Sequence, residues 1–367
     1  MDEIRKGLEN VIALETSIAF IDGEQGILKY RGHDINDLSK LSYYEVSHLL
    51  VKGSLPDGRE LEDYSNELKQ ERFIPSDAMA VLSSCNFNIE AMDALRTTIS
   101  YLSHCDSDMN GNSSEENIRK GMRMIAKFPV IVAMFYRIKT GQEIVEADTS
   151  MSHGANFLYM LRGERPSDLE AEIIEKDFIL SAEHELNPST FASRLATSTL
   201  TDIYSAIIAG VCTLKGPLHG GARMAVMEML DEVGSVENAG LYVADKVNLH
   251  EKLMGFGHRV YKTYDPRARI YKELARQIAA EKGDLSWFEI AESIEKAAFK
   301  EFVENKGKTI YPNVDFYSAV VYKYLEIPPK LATAVFAIGR ISGWIAHCLE
   351  QYSDNRVIRP RAKFVEI

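Results

Sequence analysis

The feature that most constrains the fold is a repeated helix-start signal. A serine followed three residues later by a glutamate forms a capping box, in which the two side chains satisfy free backbone amides at a helix start. Glycines stand where such helices should stop, because glycine readily adopts the left-handed conformation that ends them. The starts are Ser42/Glu45, Ser113/Glu116, Ser167/Glu170 and Ser286/Glu289, and the stops are Gly53, Gly141, Gly283 and Gly307. With the apolar periodicity they predict an all-α fold of roughly fifteen helices.

One stretch near the N-terminus departs from the helical pattern. The segment SIAFIDGEQGILKYRG has two short apolar runs around Asp22-Gly23 and Gly26. Such runs separated by turn residues are typical of a β-hairpin. We therefore predict a multi-helical fold with a small N-terminal hairpin.

A helix rich in small residues is predicted after Asn187-Pro188, a pair that favours a helix start. It runs to Leu214, and its Ala, Ser, Thr and Gly residues would let other helices approach closely, as in a central or interface helix. Gly220-Gly221 then precede another helix and indicate a hinge. We expect a large helical domain over residues 1–219, a small helical domain over 220–320, and a return to the large domain over 321–367.

Composition limits the possible functions. Apolar residues make up 46% of the 367 residues and charged residues 26%, as in ordinary soluble globular proteins. The formal net charge of −12 argues against nucleic acid or an anionic membrane as the partner, because both require a basic face. Anionic substrates remain compatible where positive charge is local, as in residues 259–269 and 356–363.

The cysteines and the N-terminus indicate an intracellular protein. The four cysteines are far apart and form no CxxC pair, so we expect reduced thiols that act as small core residues: Cys85, Cys105, Cys212 and Cys348. The N-terminal MDEIRKGLEN lacks an apolar signal core, and apolar runs such as 128–136 are far shorter than a membrane span. We expect a complete, soluble, cytoplasmic protein.

Common cofactor motifs are absent from the sequence. The GFG turn at 255–257 lacks the third glycine of a dinucleotide fingerprint, and Phe302 stands where a P-loop ending at Lys308 needs a glycine. The pairs His184-Glu185 and His250-Glu251 lack the second histidine of a zinc HExxH motif, and no GxSxG elbow occurs. The remaining His, Asp and Arg residues suit proton transfer on an anionic substrate without a metal.

Two polar turns carry candidate acid–base residues. His219 lies in GPLHGG before a helix, whose N-terminus disfavours protonation, so a neutral ring could donate an N–H to an oxyanion. The alternative is a structural histidine. Asp315, in YPNVD, is either a helix N-cap or, among apolar neighbours, a general base with a raised pKa.

The segment GFGHRVYKTYDPRAR, residues 255–269, indicates an anion site. His258 follows the GFG turn, and DPR at 265–267 fits the first positions of a helix, where free amides and the Arg267 guanidinium bind a carboxylate together. The alternative is a solvated surface arginine. Arg340 stands mid-helix among apolar residues with no acid within one turn, so its anionic partner is distant in sequence or a bound substrate.

Five segments, in this order and at these intervals, resemble the citrate synthase family: AEHELNPSTFASR, KGPLHGGA, GFGHRVYKTYDPRA, YPNVDFYS and IRPRA. The resemblance covers nearly the whole chain. It implies an all-α homodimer of large and small domains that condenses acetyl-CoA with oxaloacetate, with a CoA thioester as co-substrate and no bound cofactor or metal. The chain is similar to the short form that lacks the N-terminal extension of the hexameric, NADH-regulated enzymes.

The resemblance implies a role for each matching residue. Asp315 would remove a methyl proton from acetyl-CoA, His219 would donate to the thioester oxygen, and His258 would polarise and protonate the oxaloacetate ketone. Four residues would hold carboxylates, the last of them from the partner subunit: His184, Arg267, Arg340 and Arg359. The CoA site would comprise Gly255, Phe256, Gly257, Lys262 and Lys308.

Two departures from the family pattern leave the substrate preference open. Arg223 stands where the family usually has Asn after HGGA, and Glu183 stands where it usually has Asp before HEL. A 2-methylcitrate synthase using propionyl-CoA is one alternative, because one methylene in an apolar pocket is worth only ~1–3 kcal/mol. Alternatives from other classes are a helical interaction scaffold and a metal-dependent hydrolase with His219, His258 and Asp315 as ligands.

Overall fold

The described part of the chain confirms the all-α class. The computed structural model describes residues 4–85 and 88–366. Within these residues, short loops join sixteen α-helices, numbered here in chain order: α1 Ile35–Leu38, α2 Tyr43–Lys52, α3 Gly58–Gln70, α4 Ser76–Ser83, α5 Ala91–Cys105, α6 Ser114–Lys139, α7 His153–Arg162, α8 Asp168–Ser181, α9 Pro188–Thr197, α10 Ile203–Leu214, α11 Ala222–Val233, α12 Val236–Asn248, α13 Pro266–Lys282, α14 Ser286–Ala298, α15 Val314–Tyr324 and α16 Ala332–Ser353.

The predicted hairpin is confirmed. Strands β1 (Ala19–Asp22) and β2 (Ile27–Tyr30) pair antiparallel, and a third strand that the sequence pattern did not predict, β3 (His33–Asp34), pairs with β2. Two residues are too few for an alternating pattern to be read. The hairpin turn lies against the segment before α13, where the Lys262 backbone N–H donates to the Gly23 carbonyl at 2.9 Å.

The helix-start predictions are confirmed at three of four positions. Reciprocal capping boxes form at the starts of α2, α6 and α8. The prediction at Ser286/Glu289 is wrong, because Leu285 occupies the N-cap of α14 and no capping box forms there. The Asp284 side chain accepts from the Ser286 N–H at 2.9 Å, so an aspartate turn starts this helix one residue earlier than predicted.

The predicted small-residue helix is two helices. The chain turns after α9 through Leu200, whose φ is +62°, and Asp202 starts α10 by accepting from the Ser205 N–H at 2.9 Å. The two helices pack against each other, and the expectation of close approach holds at Gly210, where a Cβ would lie 2.4 Å from the Ser193 Oγ. Neither is the central helix of the fold.

The central helix is α16. It packs against α2, α5, α6, α8, α9 and α10. The segment Pro329–Ser353 has a mean hydropathy of 1.3 in its most apolar window, enough by length and composition to cross a membrane, so the expectation that apolar segments fall far short is wrong here. Within the protein, 89% of that window is buried, as in the core helix of a soluble protein. No second segment of the described chain passes the same test.

A glycine on α16 positions one site segment. A Cβ at Gly343 would lie 2.2 Å from the Ala182 carbonyl oxygen, so only glycine allows the chain after α8 to come this close. This approach brings His184 into the same region as Arg340, which lies one turn earlier on α16.

Helices α11 to α15 form a second group. Helices α11 to α14 and α15 pack on one another, and α13 also contacts α8 of the first group. Residue 320, the predicted domain boundary, lies inside α15. The division into large and small domains therefore stays a prediction.

The cysteines only partly follow the prediction of core residues. Cys348 is buried and Cys85 is half-buried, whereas Cys105 and Cys212 are exposed, so the core prediction is wrong for these two. For small apolar side chains such as these, the sequence pattern does not show which face of the helix they occupy.

Candidate active site

The two turns GFG (255–257) and YPN (311–313) form one paired unit, which we call the clasp. The Gly257 N–H donates to the Tyr311 carbonyl and the Asn313 N–H donates to the Gly255 carbonyl, each at 2.9 Å. The Asn313 side-chain amide adds a bond of 2.9 Å to the Gly257 carbonyl. Both glycines have φ near +80°, which side-chain-bearing residues rarely adopt. His258 and Asp315 follow the two segments of the clasp.

Asp315 is not the helix N-cap. Asn313 caps α15 by accepting from the Asp315 N–H at 3.0 Å, so Asp315 is the second residue of the helix. Its side chain is 19% exposed, and its Oδ1 lies 3.5 Å from the Nε of Arg223. Burial raises the pKa of the carboxyl, and Arg223 and Arg267 oppose that rise. A carboxylate in this setting suits a general base.

His258 has a defined tautomer. Its Nδ1 accepts from the backbone N–H groups of Val260 at 3.0 Å and Tyr261 at 3.1 Å, so the ring proton of the neutral form lies on Nε2. Burial, assisted by Arg267, lowers the pKa of His258 to about 4. At neutral pH the ring is a neutral Nε2–H donor.

His219 is neutral, as predicted, but for a different main reason. Burial lowers its pKa to about 4, and the Arg340 charge contributes. Its Nε2 lies 2.8 Å from the Ser189 Oγ, which also accepts from the Trp344 indole at 3.2 Å. Sequence reasoning missed Ser189, and its position in the first turn of α9, next to the Asn187 cap, was the only available signal.

Arg267 is a buried residue. It is 2% exposed, which excludes the alternative of a solvated surface arginine. Asp265 caps α13 by accepting from the Arg267 N–H at 3.0 Å and also binds its guanidinium, Nε at 3.1 Å and Nη2 at 2.8 Å. The predicted start of α13 is confirmed. One edge of the guanidinium is occupied, and Nη1 is left for another anion.

Arg340 is also 2% exposed and has no carboxylate within ion-pair distance among the described residues. Its Nε donates to the Ser181 carbonyl at 2.8 Å, and its guanidinium carbon lies 4.8 Å from the Phe336 ring centre. Burial lowers its pKa to about 10, partly offset by Glu183. The sequence has no acid within one helical turn of Arg340. The described tertiary structure brings none within ion-pair distance either.

His184 joins these residues. Its ring centre lies 5.2 Å from that of His258, and its Nε2 is buried without a hydrogen-bond partner. Burial, with Arg267 next in importance, holds the pKa of His184 well below its usual range. The structure thus brings together His184, His219, His258, Arg267, Arg340 and Asp315 through short chains of contacts and mutual electrostatic effects.

Three predicted binding residues lie outside this group and are exposed: Arg359, Lys262 and Lys308. Arg359 is exposed and lines a groove of about 780 Å³ between the N-terminal segment and the end of α16, with none of the six residues above in its lining. Lys262 and Lys308 are exposed beside the clasp. Phe256 stacks edge-on against Phe316 at 4.6 Å and lines a cavity of about 240 Å³.

The two departures from the family pattern are both buried. Arg223 binds Asp177 of α8, Nη1 to Oδ1 at 2.9 Å, and contacts the Tyr322 hydroxyl. Glu183 binds the His347 ring at 3.0 Å, and its other carboxylate oxygen has no hydrogen-bond partner. Within residues 4–85 and 88–366, no group of three or more His, Cys, Asp or Glu side chains is arranged to hold a metal ion.

Comparison with known proteins decides the family. The family model described as citrate synthase, C-terminal domain, matches residues 7–361. The chain is 45% identical over 361 residues to citrate synthase 2 of Bacillus subtilis, covering 98% of this chain and 95% of that protein. The chain belongs to the citrate synthase family. This excludes the interaction scaffold and the metal-dependent hydrolase.

Two further citrate synthase relatives bear on the chemistry. The citrate/2-methylcitrate synthase of Bacillus subtilis is 38% identical, with 98% of this chain and 95% of that protein covered. The Thermoplasma acidophilum citrate synthase, in a ternary complex with carboxymethyl coenzyme A and oxaloacetate, superposes on this chain with a TM-score of 0.93 at 33% identity, covering 100% of this chain and 97% of that one.

The family assignment gives the reaction. This citrate synthase family member is an acyltransferase that condenses acetyl-CoA with oxaloacetate and hydrolyses citryl-CoA to citrate and CoA. The CoA thioester is a co-substrate, and citrate synthases need no metal or prosthetic group.

Proposed function

We propose that the residues brought together in the site divide the reaction between two substrates. Asp315 is the base for the acetyl-CoA methyl group and His219 the donor to its thioester oxygen, while His258 acts on the oxaloacetate ketone. The carboxylates of oxaloacetate are held by His184, Arg267, Arg340 and the partner subunit's Arg359. The observation that carries this proposal is Arg340, a buried guanidinium that has no carboxylate within ion-pair distance in the described part of the chain.

The acetyl-CoA half of the reaction needs two groups at once. A thioester methyl is a very weak acid, so proton removal at neutral pH requires a positioned base and immediate stabilisation of the oxygen. General base help contributes about 10²–10⁴-fold and an oxyanion donor about 10²–10³-fold. Asp315 and His219 supply these two functions, and neither is sufficient alone.

His219 must present a proton to the thioester oxygen. Its Nε2 is occupied by the Ser189 hydroxyl at 2.8 Å, which leaves Nδ1 to face the substrate. When Ser189 donates to Nε2, the proton of the neutral ring lies on Nδ1 and is available to the enol oxygen. Ser189 therefore selects the productive tautomer.

The oxaloacetate half uses a neutral acid and buried cations. The enol carbon attacks the ketone carbon while the His258 Nε2–H gives its proton to the ketone oxygen, so no alkoxide charge accumulates. Arg340 and the free edge of Arg267 neutralise carboxylate charge that would otherwise be costly to bury. Neutral His184, with an unused Nε2, adds a hydrogen bond.

The CoA portion lies along the clasp. Lys262 and Lys308 are exposed cations close in sequence to its two segments and suit the phosphates, and the backbone of Gly255, Phe256 and Gly257 lines the thioester arm. Because both lysines are exposed, their contribution to affinity should fall as the ionic strength rises.

The assembly that fits this site is a cytoplasmic homodimer of two-domain subunits. Arg359 lies in the groove away from its own subunit's site, which supports action across the dimer. Exposed apolar side chains at the α9–α10 turn, such as Leu195 and Leu200, offer an interface. Movement of residues 220–320 toward the rest would complete the site and exclude water before the thioester is activated.

Propionyl-CoA is a second candidate substrate, because one relative at 38% identity is named a citrate/2-methylcitrate synthase. The extra methylene changes transition-state binding by only ~1–3 kcal/mol, so both thioesters can be accepted. We propose acetyl-CoA as the preferred one. Equal or higher kcat/KM with propionyl-CoA would reverse this preference.

The test is thiol release from acetyl-CoA, measured with and without oxaloacetate and repeated with propionyl-CoA. Release should require both substrates and fall by at least about 10²-fold in Asp315→Ala, since the base is lost. Asp315→Ala should keep its circular dichroism spectrum. Full activity in this variant would refute Asp315 as the base.

Subunit mixing tests the place of Arg359. If Arg359 acts across the dimer, a heterodimer of Arg359→Ala and Asp315→Ala subunits has one site with neither lesion and regains activity. If it acts within its own subunit, every site carries one lesion. Verified heterodimers with no activity would place Arg359 in its own subunit's site.

A further inference from the structure

Arg223 lies directly beside the carboxylate assigned as the base. It is on α11, 2% exposed, and its guanidinium is packed against aromatic rings at 4.7 Å (Tyr322), 5.2 Å (Phe336) and 5.7 Å (Tyr271). Its Nη1 donates to Asp177 and to the Tyr322 hydroxyl. The side chain is therefore fixed in place from several directions.

Two of its donors are unused. The Nε and Nη2 atoms of Arg223 are buried without a hydrogen-bond partner, although a buried guanidinium normally has its donors satisfied. The Nε lies 3.5 Å from the Asp315 Oδ1, a little beyond hydrogen-bond range. A small shift of the carboxylate would complete this bond, and no step assigned above uses Arg223.

We propose that Arg223 is a positioning residue for proton abstraction: it orients the Asp315 carboxylate through Nε–H and keeps it ionised. Asp177, on the neighbouring helix α8, moderates this effect because it shares the same guanidinium. The inference rests on the proposed role of Asp315 as the base.

The other charges around Asp315 do not replace Arg223. From the start of α13, Arg267 faces it as a pair with Asp265, which neutralises much of the charge. From α14, Glu292 and Glu295 lie with Lys272 of α13 around Tyr317, a neighbour of Asp315 on α15. Arg223 is the strongest influence that favours the ionised carboxylate against burial.

The structure offers a charge-balanced test. Arg223→Met with Asp177→Asn removes a cation and an anion together, so Asp177 is not left as a buried anion without a partner. Asp177→Asn alone frees the guanidinium and strengthens its effect on Asp315. The two variants should therefore move the Asp315 titration in opposite directions.

The measurement is the pH dependence of kcat for citrate formation, together with ¹³C-carboxyl NMR of Asp315 assigned by comparison with Asp315→Asn. In the double variant, the Asp315 titration and the acidic limb of the kcat profile should both move up by about 1 pH unit. This is the lower end of the range expected when a nearby opposite charge is lost. In Asp177→Asn both should move down. Arg223→Lys, which keeps a charge without the fixed fork, should leave the titration nearest to wild type while lowering kcat.

A merely structural role has a different signature. It would lower the melting temperature and reduce kcat at every pH, without moving the Asp315 titration. An unchanged titration in the folded double variant would overturn the proposal. Because the NMR titration requires no turnover, it stays informative even if Asp315→Ala retains activity, an outcome that would instead refute Asp315 as the base.

Discussion

Two arginines with equal burial have opposite surroundings. Arg223 and Arg340 are each 2% exposed, and both lie near the Phe336 ring, at 5.2 and 4.8 Å. Arg223 has a buried carboxylate partner in Asp177, whereas Arg340 contacts the Ser181 carbonyl and an aromatic ring and has no carboxylate within ion-pair distance among the described residues. Because a buried charge needs a counter-charge, the first region is complete without a ligand and the second is not. This difference supports the two proposals, in which Arg223 positions a catalytic group and Arg340 binds the substrate.

The largest effect expected from this contrast is on stability. Arg223→Met leaves Asp177 buried and unpaired, which should lower the free energy of unfolding by about 3–5 kcal/mol. Adding Asp177→Asn should restore most of that loss, since the orphaned charge is removed. Urea unfolding of the single and double variants checks this. A single variant as stable as wild type would show that Asp177 is compensated by other groups.

The second effect is on substrate binding. Arg340→Met should raise the KM for oxaloacetate by about 10²-fold, as expected for loss of ~2–3 kcal/mol of a charged contact, and should leave the KM for acetyl-CoA nearly unchanged. The melting temperature should stay the same or rise, because an unpaired buried charge is replaced by an apolar chain of similar length. A marked loss of stability would mean that Arg340 has a protein counter-charge after all.

The third effect concerns the pH dependence of stability, and the difference it makes between the two arginines is the smallest of the three. His219 and His258 each have a folded pKa of about 4, below the usual 6.5, so the unfolded state binds more protons between these values. The stability contributed by the neutral rings is present above pH 6.5 and is lost as the pH falls toward 4, by up to about 1 kcal/mol per unit for each ring.

The same pH measurement distinguishes the two arginines. Arg340→Met should make the stability less dependent on pH, since Arg340 helps to lower the pKa of His219. In the double variant Arg223→Met with Asp177→Asn, the contribution of His219 to the slope should stay as in wild type, because burial and Arg340 are what lower the pKa of His219. Thermal melts from pH 4.5 to 7.5, with His219→Gln as the control, test this. Equal slopes in all variants would contradict the assignment.

Local signals in the sequence predicted most of the framework. The capping boxes at Ser42, Ser113 and Ser167 and the hairpin depend on neighbouring residues only, so they could be predicted. The break at Leu200 could not, because its left-handed turn and the Asp202 cap compete with a strongly helical composition. Packing between the two helices favours the break.

For the candidate site, the sequence indicated the surroundings of individual residues but not their hydrogen-bond partners. The neutral His219 and the absence of an acid within one helical turn of Arg340 followed from their surroundings in the sequence. The bonds from His219 to Ser189 and from Arg223 to Asp177 join residues 30 and 46 positions apart. No local pattern encodes such pairs, since they depend on how the helices are packed.

The pairing of the GFG and YPN turns has a consequence for how this chemistry can diversify. His258, the proposed acid for the ketone, and Asp315, the proposed base for the methyl group, both follow segments of one hydrogen-bonded backbone unit. Their spacing is therefore independent of the side chains that surround the acyl group and of any movement between domains. Substrate range can change through mutation of the surrounding pocket while the geometry of carbon–carbon bond formation is inherited intact.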